Sequence, residues 1–266
     1  MTKLALITGA TGGIGSAIAK QLVEQGYTLI LHGRDQHKLD ALCHSLPAKH
    51  HTLIADISQP SQYLRLIEDA FQIGPVSLLV NNAGISHFSA FTSAQASDAK
   101  TAYLMQVNLL APIALCQHFM AKVLPTHSAT IINIGSALGS IGFPGFSLYC
   151  ASKFGLRGFS ESLSREYANS NIRIAYFGPR TTDTSINSSQ VTDMNHALNS
   201  KVDSPEFVAQ QFMLLLNSYK QRKIVGWPEK LFARINGMLP EVVDKAFTQK
   251  TKTIKQFAHL STGDIK

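Results

Sequence analysis

The chain has 266 residues, 45% of them hydrophobic and 15% charged, with a formal net charge of +7 and a pI near 9.3. That apolar content excludes a disordered chain, and the length suits a single α/β domain. The charge is uneven: from Lys220 onward ten Lys or Arg stand against four Asp or Glu, so the excess belongs to the C-terminal segment.

Leu4–Thr8 is an apolar run that predicts a strand. A glycine-rich turn follows, then a helix over Gly13–Gln25 with Ile14, Ile18, Ala19 and Leu22 on one face. Thr28–Leu31 predicts the second strand, Gln36–Leu46 a helix and His51–Ala55 the third strand. Ser61–Phe71 predicts a helix with Pro60 at its first turn. Val76–Val80 and Thr130–Ile134 are the fourth and fifth strands, separated by helical sequence from about Gln95 to Leu124. Tyr149–Ala168, Ile172–Phe177, Pro205–Leu216 and Lys223–Gly226 follow as helix, strand, helix and strand. Strands that are mostly apolar rather than alternating, with helices between them, predict a doubly wound parallel sheet of about seven strands. This is a Rossmann-type α/β fold. Residues 1–226 would form one catalytic domain and residues 227–266 a basic helical extension. The polar segment Arg180–Ser204 reads as a mobile loop with some short helix, either a surface excursion or a substrate lid.

The leader is too short for a signal peptide, and no run approaches the roughly 18 apolar residues that cross a bilayer. Cys43, Cys116 and Cys150 are widely spaced and predict free thiols in a reducing compartment. His32, His37, His44, His50 and His51 crowd one region without ligand spacing, so no metal site is expected.

Between the first strand and first helix stands Thr8-Gly9-Ala10-Thr11-Gly12-Gly13-Ile14-Gly15. Glycines there allow a tight turn and close approach of backbone N–H groups to a pyrophosphate. Gly9, Thr11, Gly13, Ile14 and Gly15 are therefore candidate dinucleotide contacts. At the end of the second strand, where an NAD-binding chain is expected to carry an acid, stands His32-Gly33-Arg34-Asp35. Arg34 can pair with a 2′-phosphate, so NADP(H) is preferred over NAD; Asp35 also suits a helix N-cap.

Further motifs follow in order: Asp56-Ile57, Asn81-Asn82-Ala83-Gly84, Asn108, Ser136, and Tyr149 with Lys153. With the glycine loop, they make the chain over residues 3–226 resemble the short-chain dehydrogenase/reductase family. The resemblance implies that Asp56 and Ile57 lie at the adenine side and that Asn82, Ala83 and Gly84 support the nucleotide. It also implies a catalytic set of Asn108, Ser136, Tyr149 and Lys153, and a homo-dimer or homo-tetramer.

Tyr149 and Lys153 stand at i and i+4 on one helical face. A phenol of pKa near 10 is a poor base near neutrality. The Lys153 ammonium and an oxidised nicotinamide would both lower that value. In reduction the phenol would give its proton to a carbonyl oxygen, with Ser136 holding the same oxygen. By the resemblance, Asn108 would keep a helix carbonyl placed for a proton relay through Lys153. Pro179 and Thr184 match the family's cofactor-contacting positions, whereas Arg180 stands where the family has glycine. Arg180 would form a local ion pair, touch a cofactor phosphate or meet an acidic substrate.

Phe88, Phe91, Phe143, Phe146 and Leu148 flank the strand ends and would line an apolar substrate pocket or pack the loops. In the tail, Leu231, Phe232, Ile235, Met238 and Leu239 precede Pro240, and Val242, Val243, Ala246 and Phe247 follow it. Lys245, Lys250, Lys252 and Lys255 decorate the second part. The tail would be a pair of covering or subunit-contact helices, or an interfacial membrane segment; nucleic acid is not expected. The expected function is NADP(H)-dependent hydride exchange with a small-molecule carbonyl or secondary alcohol, apolar or bulky, in the cytoplasm or at the inner membrane surface. The alternatives are an NAD-dependent alcohol dehydrogenase working in oxidation and a catalytically silent nucleotide-binding regulator.

Overall fold

Leu4, Ala5, Leu6 and Ile7 are all buried in the first strand, β1 (Lys3–Ile7), because the sheet that contains it is covered on both faces. The computed structural model describes residues 3–93 and 97–259. Six further strands follow: β2 (Tyr27–Gly33), β3 (His51–Ile54), β4 (Val76–Asn81), β5 (Ala129–Ile134), β6 (Ile172–Gly178) and β7 (Arg222–Ile224). They pair in the order β3-β2-β1-β4-β5-β6-β7, all parallel. The order reverses at β1 and β4, which opens a crevice at the C-terminal ends of those strands.

The helices are α1 (Gly13–Glu24), α2 (Gln36–Ser45), α3 (Tyr63–Ile73), α4 (Asp98–Met105), α5 (Ala111–Lys122), α6 (Ser147–Glu166), α7 (Ser189–Ala197), α8 (Pro205–Leu216), α9 (Glu229–Met238) and α10 (Pro240–His259). Alternate β1 residues divide between two cores. Ala5 and Ile7 pack with Ile18 and Leu22 of α1 and with Val208 and Phe212 of α8. Leu4 and Leu6 pack with Leu66 and Ile67 of α3 and with Leu115 and Phe119 of α5. Two smaller apolar clusters seal the C-terminal end of the sheet. One joins Phe146 and Met194 to Ile254 of α10, and the other joins Ile141 to Ala233 and Val243.

Several expected boundaries shift. α6 starts two residues early, and β7 spans Arg222–Ile224 rather than Lys223–Gly226. Of the helical run predicted from Gln95 to Leu124, Gln95 and Ala96 lie outside the described residues. The rest is two helices joined by a π turn at Gln106–Leu110. Pro112 has no N–H to give to the carbonyl of Asn108, four residues earlier, so regular winding fails there. Contrary to the expectation that no segment is long enough, Asp98–Lys122 is long and apolar enough, by length and composition, to cross a membrane. Its Val107, Ala111, Leu115, Cys116 and Phe119 are spent on the core beside the sheet.

The segment Arg180–Ser204, expected as a mobile loop with some short helix, is well built. It contains α7, capped by the Ser188 hydroxyl, and a parallel bridge between Thr182 and Asp203. Asp35 caps α2, its carboxylate accepting from the Lys38 N–H at 3.2 Å.

Candidate active site

The crevice holds a cavity of about 900 Å³. Gly9, Thr11, Gly13, Ile14 and Gly15 line one end of it. Gly9 adopts a φ of +61°, and a Cβ on Gly13 would lie 2.5 Å from Thr184 Cγ2, so these two positions have no room for a side chain. α1 has Gly12 at its N-cap, with no side-chain cap and no acid in its first turn. Its first N–H groups and the positive end of its dipole are thus available to an anion. This glycine cradle and uncapped helix fit a dinucleotide pyrophosphate.

Asn82, Ala83 and Gly84 also line the cavity. The Asn82 side-chain amide donates to the carbonyls of Thr8 at 3.0 Å and Gly9 at 2.9 Å. The Thr8 hydroxyl accepts from the N–H groups of Asn82 and Ala83. Asn82 therefore acts on the glycine loop, through its carbonyls.

Arg34, Asp56 and Ile57 lie on the wall at the ends of β2 and β3. Arg34 Nη1 donates to the Tyr103 hydroxyl at 2.9 Å, and among the described residues its other guanidinium N–H groups have no partner. Asp56 Oδ1 accepts from the Ser58 N–H. Sequence reading passed over His32 as a ligand contact, yet it is fully buried on the same wall. Its Nε2 bonds the Ala55 carbonyl at 3.0 Å, its Nδ1 has no partner, and burial pushes its pKa down to about 4. His32 is thus neutral at physiological pH, with Nδ1 an unused acceptor.

Ser136, at the end of β5, meets Tyr149 and Lys153 of α6 on the middle of the wall. Ser136 Oγ accepts from the Leu138 N–H at 3.1 Å, which leaves its own O–H to donate. Lys153 is buried; its Nζ donates to the Ile134 carbonyl at 3.2 Å and sits 5.7 Å from the centre of the Tyr149 ring. α6 is anchored by a buried chain: Asn81 Nδ2 donates to Asn133 Oδ1 at 2.8 Å, and Asn133 Nδ2 donates to Ser160 Oγ at 2.9 Å.

The protein's own groups raise the Tyr149 phenol, whereas the expected lowering includes the charge of an oxidised nicotinamide. Burial pushes it up to about 12 against a smaller opposing effect of hydrogen bonding to Ser136. Burial also brings Lys153 down to about 8. Desolvation disfavours both charged forms.

Asn108 does not reach the cavity. It is fully buried in the π turn, where its amide donates to the Ile85 carbonyl at 2.8 Å and its Oδ1 accepts from the Ile85 N–H at 2.9 Å. It braces the turn after β4 and also donates to Ser152 Oγ on α6.

Tyr176, which sequence reading treated only as strand, grips Ser136 from beneath. The Ser136 N–H donates to its hydroxyl at 3.0 Å, and that hydroxyl donates to the Ser136 carbonyl at 2.8 Å. A Cβ on Gly135 would lie 2.1 Å from the Tyr176 ring, so the pair is matched in size. Tyr176→Phe strands the Ser136 N–H, while the carbonyl keeps its bond from the Gly139 N–H. The expected loss is about 1–3 kcal/mol, read as a lower denaturation midpoint at constant m-value.

Pro179 and Thr184 line the cavity. Arg180 is buried and held by Asp203, with Nε to Oδ2 at 2.8 Å and Nη2 to Oδ1 at 2.6 Å, and by Glu229 Oε2 at 3.1 Å. Of the three roles open to it, the ion pair is the one formed. Phe143 and Phe146 line the cavity, whereas Phe88, Phe91 and Leu148 do not. Phe88 packs behind Phe146 at 4.8 Å between ring centres, and Phe91 is exposed. Leu148 neighbours Tyr149 on α6, and adjacent helical residues point about 100° apart.

The profile of the short chain dehydrogenase family matches residues 3–195. Carbonyl reductase family member 4 from Danio rerio is 31% identical over 222 residues, covering 82% of this chain and 92% of its own. A short-chain dehydrogenase from Sphingobium yanoikuyae, solved in complex with NADPH, superposes with a TM-score of 0.76 at 24% identity, covering 91% of this chain and 95% of that one. A short chain dehydrogenase/reductase from Burkholderia phymatum, solved in complex with NAD, gives 0.81 at 21% identity, covering 91% and 95%.

Proposed function

Because the chain belongs to the short-chain dehydrogenase/reductase family of oxidoreductases, we propose that it is an NADP(H)-dependent reductase of apolar or bulky ketones, with Tyr149 as the proton donor. The observation that carries this reading is the meeting of Ser136, Tyr149 and Lys153 on one cavity wall beyond the uncapped glycine loop. When bound, the reduced nicotinamide supplies the hydride. Gly9, Thr11, Gly13, Ile14 and Gly15 would hold its pyrophosphate, with Asp56, Ile57, Asn82, Ala83, Gly84, Pro179 and Thr184 completing the bed.

The Ser136 O–H donates to the carbonyl oxygen of the substrate and so fixes its position. Tyr149 Oη gives its proton to that oxygen as negative charge grows there. A phenol held protonated by burial is the form needed for this direction. The Lys153 ammonium lies beside the ring and stabilises the phenolate that remains. Asn108 and Tyr176 act at one remove, holding the Gly84–Ile85 turn and the Ser136 backbone. A panel of ketones and secondary alcohols, read at the nicotinamide absorbance band with each cofactor, tests the reading. Oxidation of alcohols without ketone reduction would overturn it.

The NADP(H) preference rests on Arg34 and on Asp35 being spent as the cap of α2. Arg34→Ala is expected to weaken NADPH binding by about 10- to 100-fold, the loss of one or two charge-assisted bonds, and to leave NADH binding unchanged. Equilibrium titration with each nucleotide checks it, and an unaltered NADPH constant would reject the assignment.

A further inference from the structure

Beyond Tyr149 the cavity is walled by Ile141, Phe146, Met194, Phe232, Val243 and Phe247, an apolar chamber closed by α7, α9 and α10. Two cations interrupt that wall, Lys201 just after α7 and Lys250 on α10. They come from segments 49 positions apart in sequence, and both line this one cavity because α7 packs on α10 through Val191, Met194, Ile254 and Ala258. Both are exposed, and among the described residues neither has an ion-pair partner.

Among the described residues, every other charge on the cavity wall has an assignment. Arg34 lies at the nucleotide end, Lys153 bonds the Ile134 carbonyl, and Arg180 is neutralised by Asp203 and Glu229. Of the two carboxylates that described residues place on the wall, Asp56 is at the nucleotide end and Glu229 is held by Arg180. The substrate chamber therefore has an apolar body, one proton donor within and two uncommitted ammonium groups on its wall. Arg180 had been the one candidate reader of an acidic substrate; the fold consumes it and presents two lysines instead.

We propose that Lys201 and Lys250 recognise an anionic end group on the substrate, so that the substrate class is a ketone with an apolar chain ending in a carboxylate or phosphate. The apolar stretch fills the chamber, the carbonyl oxygen lies at Tyr149 and Ser136, and the anion meets the two ammonium groups. This inference rests on the reductase reading of the same cavity.

The test compares levulinate and its longer-chain methyl-ketone homologues with their methyl esters, using NADPH. The wild type is expected to favour the long-chain acids over their esters in kcat/KM by about tenfold, the size of one or two partly exposed charge pairs. High salt should shrink that ratio. Lys201→Gln with Lys250→Gln should bring it near unity, Lys201→Arg with Lys250→Arg should restore it, and the NADPH dissociation constant should stay constant in both. Equal use of acid and ester by the wild type, or a ratio unchanged in the Gln variant, would overturn the proposal. Weakened NADPH binding in the Gln variant would overturn it too, by assigning the lysines to the nucleotide.

Direct binding separates this proposal from the reductase reading. Trp227, the single tryptophan, lies on the cavity wall, so its fluorescence reports occupancy. Dodecanoate and dodecyl phosphate should bind more tightly than dodecanol, and the Gln variant should lose the difference. The stronger of the two anions identifies the end group. If no ketone is reduced, the reductase reading falls and this titration alone decides the anion site.

Discussion

Tyr149→Phe is expected to lower the kcat of ketone reduction by about 10²- to 10⁴-fold, the contribution of a positioned general acid, while leaving NADPH affinity unchanged. The substitution removes one oxygen. The Phe146 ring, 5.9 Å from that of Tyr149, keeps its packing partner. Lys153 Nζ keeps its bond to the Ile134 carbonyl, so the ammonium does not lose its anchor. What disappears is the proton held at the oxygen that Ser136 addresses. Stopped-flow measurement of NADPH oxidation, beside a nucleotide titration and a melting curve, separates chemistry from binding and folding. Retained turnover in a folded variant that still binds NADPH would remove Tyr149 from the mechanism.

Arg180→Met is expected to destabilise the fold by about 3–5 kcal/mol, the cost of breaking a buried ion pair by removing one partner. Both side chains are nearly inaccessible, at 5% for Arg180 and 6% for Asp203. Methionine would fill the space but leave the Asp203 carboxylate without its two bonds. It would also free Glu229 and the Trp227 carbonyl, which the same guanidinium ties to the end of β6. A loss of this size is a large share of the usual 5–15 kcal/mol of folding free energy. Urea denaturation gives the value. The double variant Arg180→Met with Asp203→Leu should recover part of it, because no charge is then stranded. Equal instability of single and double variants would show that the stranded carboxylate is not the cause.

How far each residue could be read depended on the range of its interactions. The strand and helix order was legible because burial on two faces makes β1 and β4 mostly apolar, while α1 and α3 carry their apolar residues at helical spacing. The glycine loop was legible because its requirement is local: a positive φ at Gly9 and a close approach at Gly13. Arg180 was not, since its partners lie 23 and 49 residues away along the chain. Tyr176 was hidden for the same reason, its grip on Ser136 spanning 40 residues. The depth of Tyr149's burial also escaped the sequence, because an i, i+4 ammonium is visible there and the extent of desolvation is not.

The sequence by itself determined the parallel α/β architecture and the glycine cradle, which follow from local spacing and residue chemistry, while the Ser136, Tyr149 and Lys153 set was picked out by the ordered motifs of a family resemblance. It also located the positive charge in the last 47 residues. Only the tertiary structure decided what part of that charge faces. α9 and α10 fold back over the crevice, bringing Phe232, Val243, Phe247 and Lys250 onto the cavity wall. An amphipathic helix states that it will bury one face, but not which surface will receive it; that choice belongs to the packing of α10 against α7.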